Sequence, residues 1–240
     1  MNKITVADCF LKFLEIYGIK DSFMLTGGAA MHLNDSFRKN KKIKKYILHH
    51  EQSCSMAADA YFRISNRPAA VCVTAGPGSI NALNGVFGAY VDSIPMVVVS
   101  GQARTDNIAP LHAPGLRQFG DQEVDIVTMA KPITKLSVRL KREDNFIKIF
   151  HKALSLAEDG RPGPVWIDIP IDIQSMLINE PKLKDYKRPK VRHNYNEKIY
   201  LERKINKVLA LLNKAKRPVI IAGNGVRFSG KYKDFLKIIK

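Results

Sequence analysis

The chain has 240 residues, 45% hydrophobic, 8% aromatic and 25% charged, enough for one full domain and part of a second. Its longest apolar runs, Ala69–Val73 and Val208–Leu212, are five residues each, far short of the roughly 18 that a bilayer-spanning helix needs. The net charge of +17 is concentrated in residues 181–240, whose 18 basic and 4 acidic side chains leave only +3 for the rest. That surplus is mostly lysine with few aromatics between, which suggests neither forked base contacts nor a stacking platform and leaves a basic nucleic-acid-binding protein only as the weaker alternative reading.

In chain order, Thr5 followed by Asp8 forms a helix-capping pattern. It opens an apolar-rich helix (Val6, Phe10, Phe13, Leu14, Tyr17) closed by Gly18. A short strand, Phe23–Leu25, runs into Gly27-Gly28 and a second helix. A dense basic run (Arg38, Lys39, Lys41, Lys42, Lys44, Lys45) precedes a strand at Tyr46–Leu48, which ends at His49-His50-Glu51. A helix follows from about Ser53 to Arg63. Ala69–Thr74 reads as a buried strand, Gly76-Pro77-Gly78 as a turn, and Ser79 to about Tyr90 as a helix. Met96–Ser100 is another buried strand, broken by Gly101. The segment 101–120, with Pro110 and Pro114, has the length and composition of a functional loop. Beyond it come a short helix near Glu123–Thr128, a strand around Ile133–Val138, a helix through Asp144–Glu158 and a strand at Val165–Ile169.

Continuous apolar strands separated by helices imply an α/β fold, a doubly wound parallel sheet with helices on both faces. Such sheets bind ligands at the carboxyl ends of their strands. Gly27-Gly28, His50-Glu51 and Gly76-Pro77-Gly78 all fall at those ends. Residues 170–198 are rich in Pro, Lys and Asn, the composition of a linker. Beyond them Tyr200–Leu212 is helical, Pro218–Ala222 is a strand, and Gly223-Asn224-Gly225 turns into a final helix. The expected division is a first domain over 1–173, a linker over 174–198, and over 199–240 the start of a second, incomplete α/β domain.

Cys9, Cys54 and Cys72 are odd in number and lack CxxC spacing, which fits a reducing cytoplasm and neither a disulfide framework nor a zinc site. His49 and His50 are adjacent and face opposite ways in a strand. His32, His112, His151 and His193 are scattered, so no metal site is expected. Ser100-Gly101-Gln102 is not a nucleophile elbow. Glu51, between a strand and an alanine-rich helix, has two readings from the residues alone. It is either a helix-start charge favoured by the dipole or a carboxyl group in an apolar crevice, available for proton transfer. Thr74-Ala75-Gly76-Pro77-Gly78-Ser79 allows close backbone approach by a ligand but matches neither a dinucleotide fingerprint nor a P-loop. By itself it is equally a plain turn.

Taken together, five colinear blocks resemble the N-terminal, pyrimidine-binding domain of thiamine-diphosphate-dependent enzymes of the acetolactate synthase type. They are His50-Glu51-Gln52 with Ala57–Arg63; Val73–Ala82; Ala89–Gln102; Gln122–Val127 with Lys131–Lys135; and Gly160–Pro170. The resemblance implies that Glu51 hydrogen-bonds the N1′ atom of the aminopyrimidine and so promotes proton removal from C2 of the thiazolium, with a small 2-oxo acid as substrate. It implies that Thr74, Pro77, Gly78 and Asn81 line the pyrimidine pocket, with Gly27 and Gly28 close by. Thr26 and Gln122 would lie on the substrate side.

Acetolactate synthases usually carry Tyr-Pro-Gly-Gly where this chain has Leu25-Thr26-Gly27-Gly28. They carry Ala-Phe-Gln-Glu where it has Gly120-Asp121-Gln122-Glu123. The preceding Leu116-Arg117-Gln118 is closer to acetolactate synthase-like proteins associated with bacterial surface-polysaccharide biosynthesis. The family's Gly-Asp-Gly motif for magnesium and the diphosphate does not occur here, so magnesium is expected only through a C-terminal domain outside this chain. The expectation is then a truncated form, inactive alone. It would act as a homodimer or tetramer through the pyrimidine domain, or as a noncatalytic subunit beside a separately encoded C-terminal half. Whether FAD is carried stays open.

Overall fold

The structure is a computed structural model and describes residues 2–108, 114–182, 186 and 195–239; Pro110, His112 and His193 lie outside the described residues. Near its start the chain forms a short strand, β1 (Lys3–Thr5), and then α1 (Val6–Ile16). Thr5 Oγ1 accepts the Asp8 N–H at 3.0 Å, the cap that the Thr5/Asp8 spacing implies. One face of α1 buries Val6, Phe10, Phe13 and Leu14. Gly18 then leaves the helix at φ +72°, a conformation glycine takes without a Cβ clash.

The main sheet contains β2 (Asp21–Met24), β3 (Lys44–Ile47), β4 (Ala69–Val73), β5 (Met96–Gln102), β6 (Leu136–Arg139) and β7 (Pro164–Pro170). Every pairing is parallel, in the order β3-β2-β4-β5-β7-β6. Between the strands run α2 (Met31–Lys39), α3 (Glu51–Ser65), α4 (Pro77–Val91), α5 (Ile126–Ala130) and α6 (Phe146–Glu158). Ala70, Cys72, Val97, Val99, Val165 and Ile167 form one core with Phe10, Phe13, Phe37 and Phe150 from α1, α2 and α6. Their strand neighbours Val71, Val73, Val98 and Trp166 are also buried and turn to the other face, where α3, α4 and α5 pack. The doubly wound parallel sheet expected from the sequence is therefore present.

The strand order positions the site. The connection leaving β2 crosses one face through α2, whereas the connection leaving β4 crosses the opposite face through α4. Neighbouring strands whose connections depart in opposite directions leave a crevice at their carboxyl ends. The turns at Thr26–Gly28 and Thr74–Gly78 border it.

Three features differ from the sequence reading. Gly101 does not break β5, because Gly101 and Gln102 continue the ladder opposite Ile169 and Pro170. Its missing side chain instead admits the backbone of Ala29, which a Cβ at position 101 would strike. Within the low-periodicity stretch, α7 (Ile171–Gln174) is followed by β8 (Leu177–Asn179), which pairs antiparallel with β1. Finally, Pro218–Ala222 is not a strand. Val219 and Ile221 there are 86% and 93% exposed, and a strand needs a neighbour to take its backbone hydrogen bonds.

The chain divides into two units, residues 1–189 and 190–240. The second contains α8 (Tyr195–Lys214), α9 (Gly225–Phe228) and α10 (Tyr232–Ile238), with no strand among its described residues. Among the described residues no helix is long and apolar enough to cross a membrane. The packing at Gly101 gives a direct test of the sheet register. Gly101→Ala should destabilise the chain by on the order of 2 kcal/mol through overpacking, read as a lower urea midpoint at unchanged slope.

Candidate functional site

His50 ends the turn after β3, and its Nδ1 accepts the Gln52 N–H at 3.1 Å, capping α3. This makes Glu51 the first residue of the helix. Its side chain does not run out into solvent; the residue is only 9% exposed. Glu51 Oε2 accepts a hydrogen bond from Asn81 Nδ2 at 3.1 Å. Oε1 faces Gly78, where an added Cβ would lie 3.1 Å from it and 2.8 Å from Thr74 Cγ2. The carboxylate thus sits where the first turns of α3 and α4 meet, against the positive ends of both helices. The carboxyl group faces the contact between α3 and α4, and it also stands at a helix start.

The remaining residues singled out from sequence fall around this point to different degrees. Gly27 packs directly on Thr74, with the position of a Cβ only 2.5 Å from Thr74 Cβ. Thr26 and Gly28 are exposed in the same turn, as is Pro77 at the start of α4. Ser79 Oγ donates to Thr74 O at 2.6 Å and closes the turn from below. Gly76 has φ +59°, and a Cβ there would collide with the carbonyl of Gln122. Gln122 itself holds φ +51°, a strained position for a residue with a side chain. Gln122 therefore meets the turn through its backbone, and its side-chain-bearing residue is exposed.

One cluster near the site was not anticipated. Asp168 on β7 is fully buried. It accepts from Ser100 Oγ at 2.7 Å, from Gln102 Nε2 at 3.2 Å and from Arg139 Nε at 2.8 Å. Trp166 Nε1 donates in turn to Ser100 Oγ at 2.8 Å. Burial pushes the Asp168 pKa up, against the opposing pull of Arg139 and the two neutral donors. The signal for this cluster was an aspartate inside the apolar run Val165–Ile169 and an arginine ending β6, but neither residue identifies the other across the sheet. Among the described residues, no group of three or more His, Cys, Asp and Glu side chains gathers as a metal site.

The family model described as "Thiamine pyrophosphate enzyme, N-terminal TPP binding domain" matches residues 4–129, more than half of the chain. The chain belongs to this thiamine pyrophosphate enzyme family. The matched span includes Gly27, Glu51, Thr74, Gly76, Gly78, Asn81 and Gln122, whereas Arg139 and Asp168 lie beyond it. Among curated relatives, the acetolactate synthase large subunit of Buchnera aphidicola subsp. Schizaphis graminum is 37% identical over 229 residues, covering 94% of this chain and 38% of the relative. The large subunit from Lactococcus lactis is 32% identical, with 96% and 38% covered. Isozyme 1 of Escherichia coli is 31% identical, with 94% and 38% covered. The chain thus spans about two fifths of the length of the acetolactate synthases it matches.

In this thiamine pyrophosphate enzyme domain, the surroundings of Glu51 are apolar enough to affect a neighbouring thiol. Cys54, one helical turn on, is buried, and its pKa is pushed up to about 12 by burial, with the Glu51 charge adding to the effect. Cys9 is pushed up to about 12 as well, and Cys72 higher still, both chiefly by burial. Alkylation of the folded chain at pH 8 should therefore be slower than that of a free thiol by about a thousandfold. Its rate should keep rising about tenfold per pH unit past pH 9, where an ordinary thiol levels off. Mass spectrometry of iodoacetamide adducts before and after unfolding measures both effects.

Proposed function

We propose that the chain supplies the pyrimidine-binding half of a thiamine diphosphate site in an enzyme of the acetolactate synthase type. In this reading residues 1–173 are the cofactor-binding domain, 174–198 a connection, and 199–240 the start of a second domain. The observation that carries it is the Glu51 carboxylate, shielded from solvent, bound by Asn81 and aimed at the Gly76–Gly78 turn. The residues suit an aminopyrimidine ring. A planar heterocycle needs a carboxyl group at one nitrogen and close-lying backbone beside its face, and Gly27 and Gly78, packed on Thr74 with no room for a side chain, keep the backbone of both turns close to Glu51.

When bound, thiamine diphosphate supplies the ring carbon that adds to the carbonyl of a 2-oxo acid and accepts the electron pair left by departing carbon dioxide. The protein's part is acid–base. Glu51 holds or releases a proton at the pyrimidine nitrogen, and Asn81 fixes the carboxyl rotamer by occupying Oε2. The apolar flank of α3 and α4 keeps competing water off that proton. Gln122, carried by the strained backbone opposite Gly76, stands on the substrate side. Among the described residues set around Glu51, namely Gly27, Thr74, Gly76, Gly78 and Asn81, none is cationic, so the diphosphate anchor and its magnesium ion are assigned to a partner polypeptide or a further domain. An amide at position 51 can accept a hydrogen bond but cannot exchange the proton. In the chain assembled with a diphosphate-holding unit, Glu51→Gln should slow C2–H exchange of the cofactor by at least about a hundredfold, followed by proton NMR. The isolated chain should show no exchange above that of free cofactor. Equal rates for wild type and Glu51→Gln would sink the reading.

We place the proposed partner contact on α4. Its fifteen residues, Pro77–Val91, include no charged side chain. It nevertheless exposes Ile80, Phe87 and Val91, a stripe at helical spacing. For a chain of charge +17, this is a face on which a second copy can dock without opposing like charges, as a two-fold contact requires. Phe87→Asp should shift a dimer to monomer in sedimentation velocity while leaving the helix content unchanged.

A further inference from the structure

The Asp168 cluster reaches beyond its own pair. Gln102 Nε2, which donates to Asp168, also donates to Val124 O at 2.9 Å. Arg139 Nη2 donates to the same carbonyl at 3.3 Å and to Asp125 Oδ1 at 3.3 Å. One backbone oxygen of the 120–125 segment therefore receives two side-chain donors besides the Ile126 N–H at 2.9 Å, and both side chains are oriented by one buried carboxylate. The segment is pinned at two further points. Gly120 threads between Ala103 and Asn107, where a Cβ would lie 2.7 Å from Ala103 Cβ and 2.6 Å from Asn107 O. The Gln122 carbonyl presses on Gly76. Between the pins, Gln122 stays in the left-handed region, a conformation that persists only where the surroundings over-determine it.

We infer that Asp168, acting through Gln102 and Arg139, is a positioning residue that fixes Gln122 against the Gly76 turn and so sets the substrate-side wall opposite Glu51. The inference rests on the reading of that turn as the cofactor site, but the clamp itself is measurable without cofactor. Gln102 and Arg139 differ in what else they do. Arg139 neutralises a buried charge, so its removal threatens folding. Gln102 is neutral, and Asp168 keeps Arg139 and Ser100 when Gln102 is lost. Gln102→Met is therefore the first variant. Arg139→Lys is the second, because a lysine can keep the ion pair with Asp168 but lacks the second arm that reaches Val124.

The test is regional hydrogen exchange on the full chain. Loss of one donor to Val124 should raise exchange in the peptide spanning 119–126 about tenfold. The 96–100 strand should keep its wild-type exchange. The emission of Trp166, the only tryptophan in the chain, reports on the Ser100–Asp168 contact and should not move. Arg139→Lys should give the same pattern. Unchanged exchange at 119–126 in both variants overturns the inference. So does an increase shared equally by 96–100 with a shifted Trp166 emission, which would mark a purely structural role. A second arm uses saturation-transfer NMR with millimolar thiamine diphosphate. The pyrimidine signal should fall at least about threefold in Gln102→Met, and a signal equal to wild type overturns the link to the site. No transfer to wild type would instead remove the cofactor reading, while exchange at 119–126 would still decide the clamp.

Discussion

A carboxylate inside a crevice of apolar helices is tolerable only when donors and dipoles surround it, and the contact between α3 and α4 supplies them for Glu51. Gly85 makes that contact possible. A Cβ there would come within 2.7 Å of the Met56 backbone nitrogen, so only glycine lets the two helices lie this close. Asn81 is one turn earlier on the same face of α4, which carries its amide over Glu51 Oε2. Gly78, one turn nearer the start, leaves Oε1 facing backbone rather than a side chain. Three positions on one helix thus set the distance, the donor and the opening. The uncharged composition of α4 belongs to the same arrangement, since its inner face meets α3 and its outer face is apolar.

The sheet beneath supplies rigidity where charge is handled. β4, β5 and β7 are buried along their whole length, and their side chains alternate between two helical layers. Into this the chain places Asp168, whose ionised form is costly there without Arg139. Removing one partner of such a pair leaves the other uncompensated, at about 3 to 5 kcal/mol. A well-packed apolar pair at 139 and 168 could be as stable, so stability alone does not explain the two charges. Their geometry does: the guanidinium and the Gln102 amide are held at angles that let both reach Val124 O.

The fold was legible in the sequence because its strands are unbroken apolar runs and its helices carry a strong periodicity, as at α1 and α6. Element ends moved by a few residues, since helices begin at caps such as His50 rather than at the first apolar residue. What was not legible depends on partners distant in the chain. The antiparallel pairing of Lys3–Thr5 with Leu177–Asn179 joins two ends with no shared pattern. Gly101 resembled a strand breaker because a glycine that ends a strand and one that admits Ala29 look alike in one dimension. Pro218–Ala222 has strand composition, yet composition cannot provide the neighbour that a strand requires. Glu51 stood out only with the blocks around it, since a helix-start glutamate is ordinary. Asp168 lacked even that help.

The two halves of the site therefore rest on different supports. Glu51, Asn81, Gly78 and Gly85 depend on the packing of α3 against α4, all within the span shared with thiamine pyrophosphate enzymes. The Gln122 wall depends on β5, β6 and β7 through Gln102, Arg139 and Asp168, and two of those three residues lie outside that span. In the proposed function, a change at 102, 139 or 168 would move the wall without disturbing the Glu51 carboxylate. A change in the α3–α4 contact would do the reverse. Under the proposed function, separate supports of this kind would let acid–base chemistry stay fixed while the shape offered to a substrate changes. The departure at Gly120-Asp121 falls in the segment held by this second support, whereas Thr26 adjoins Gly27, which packs on Thr74.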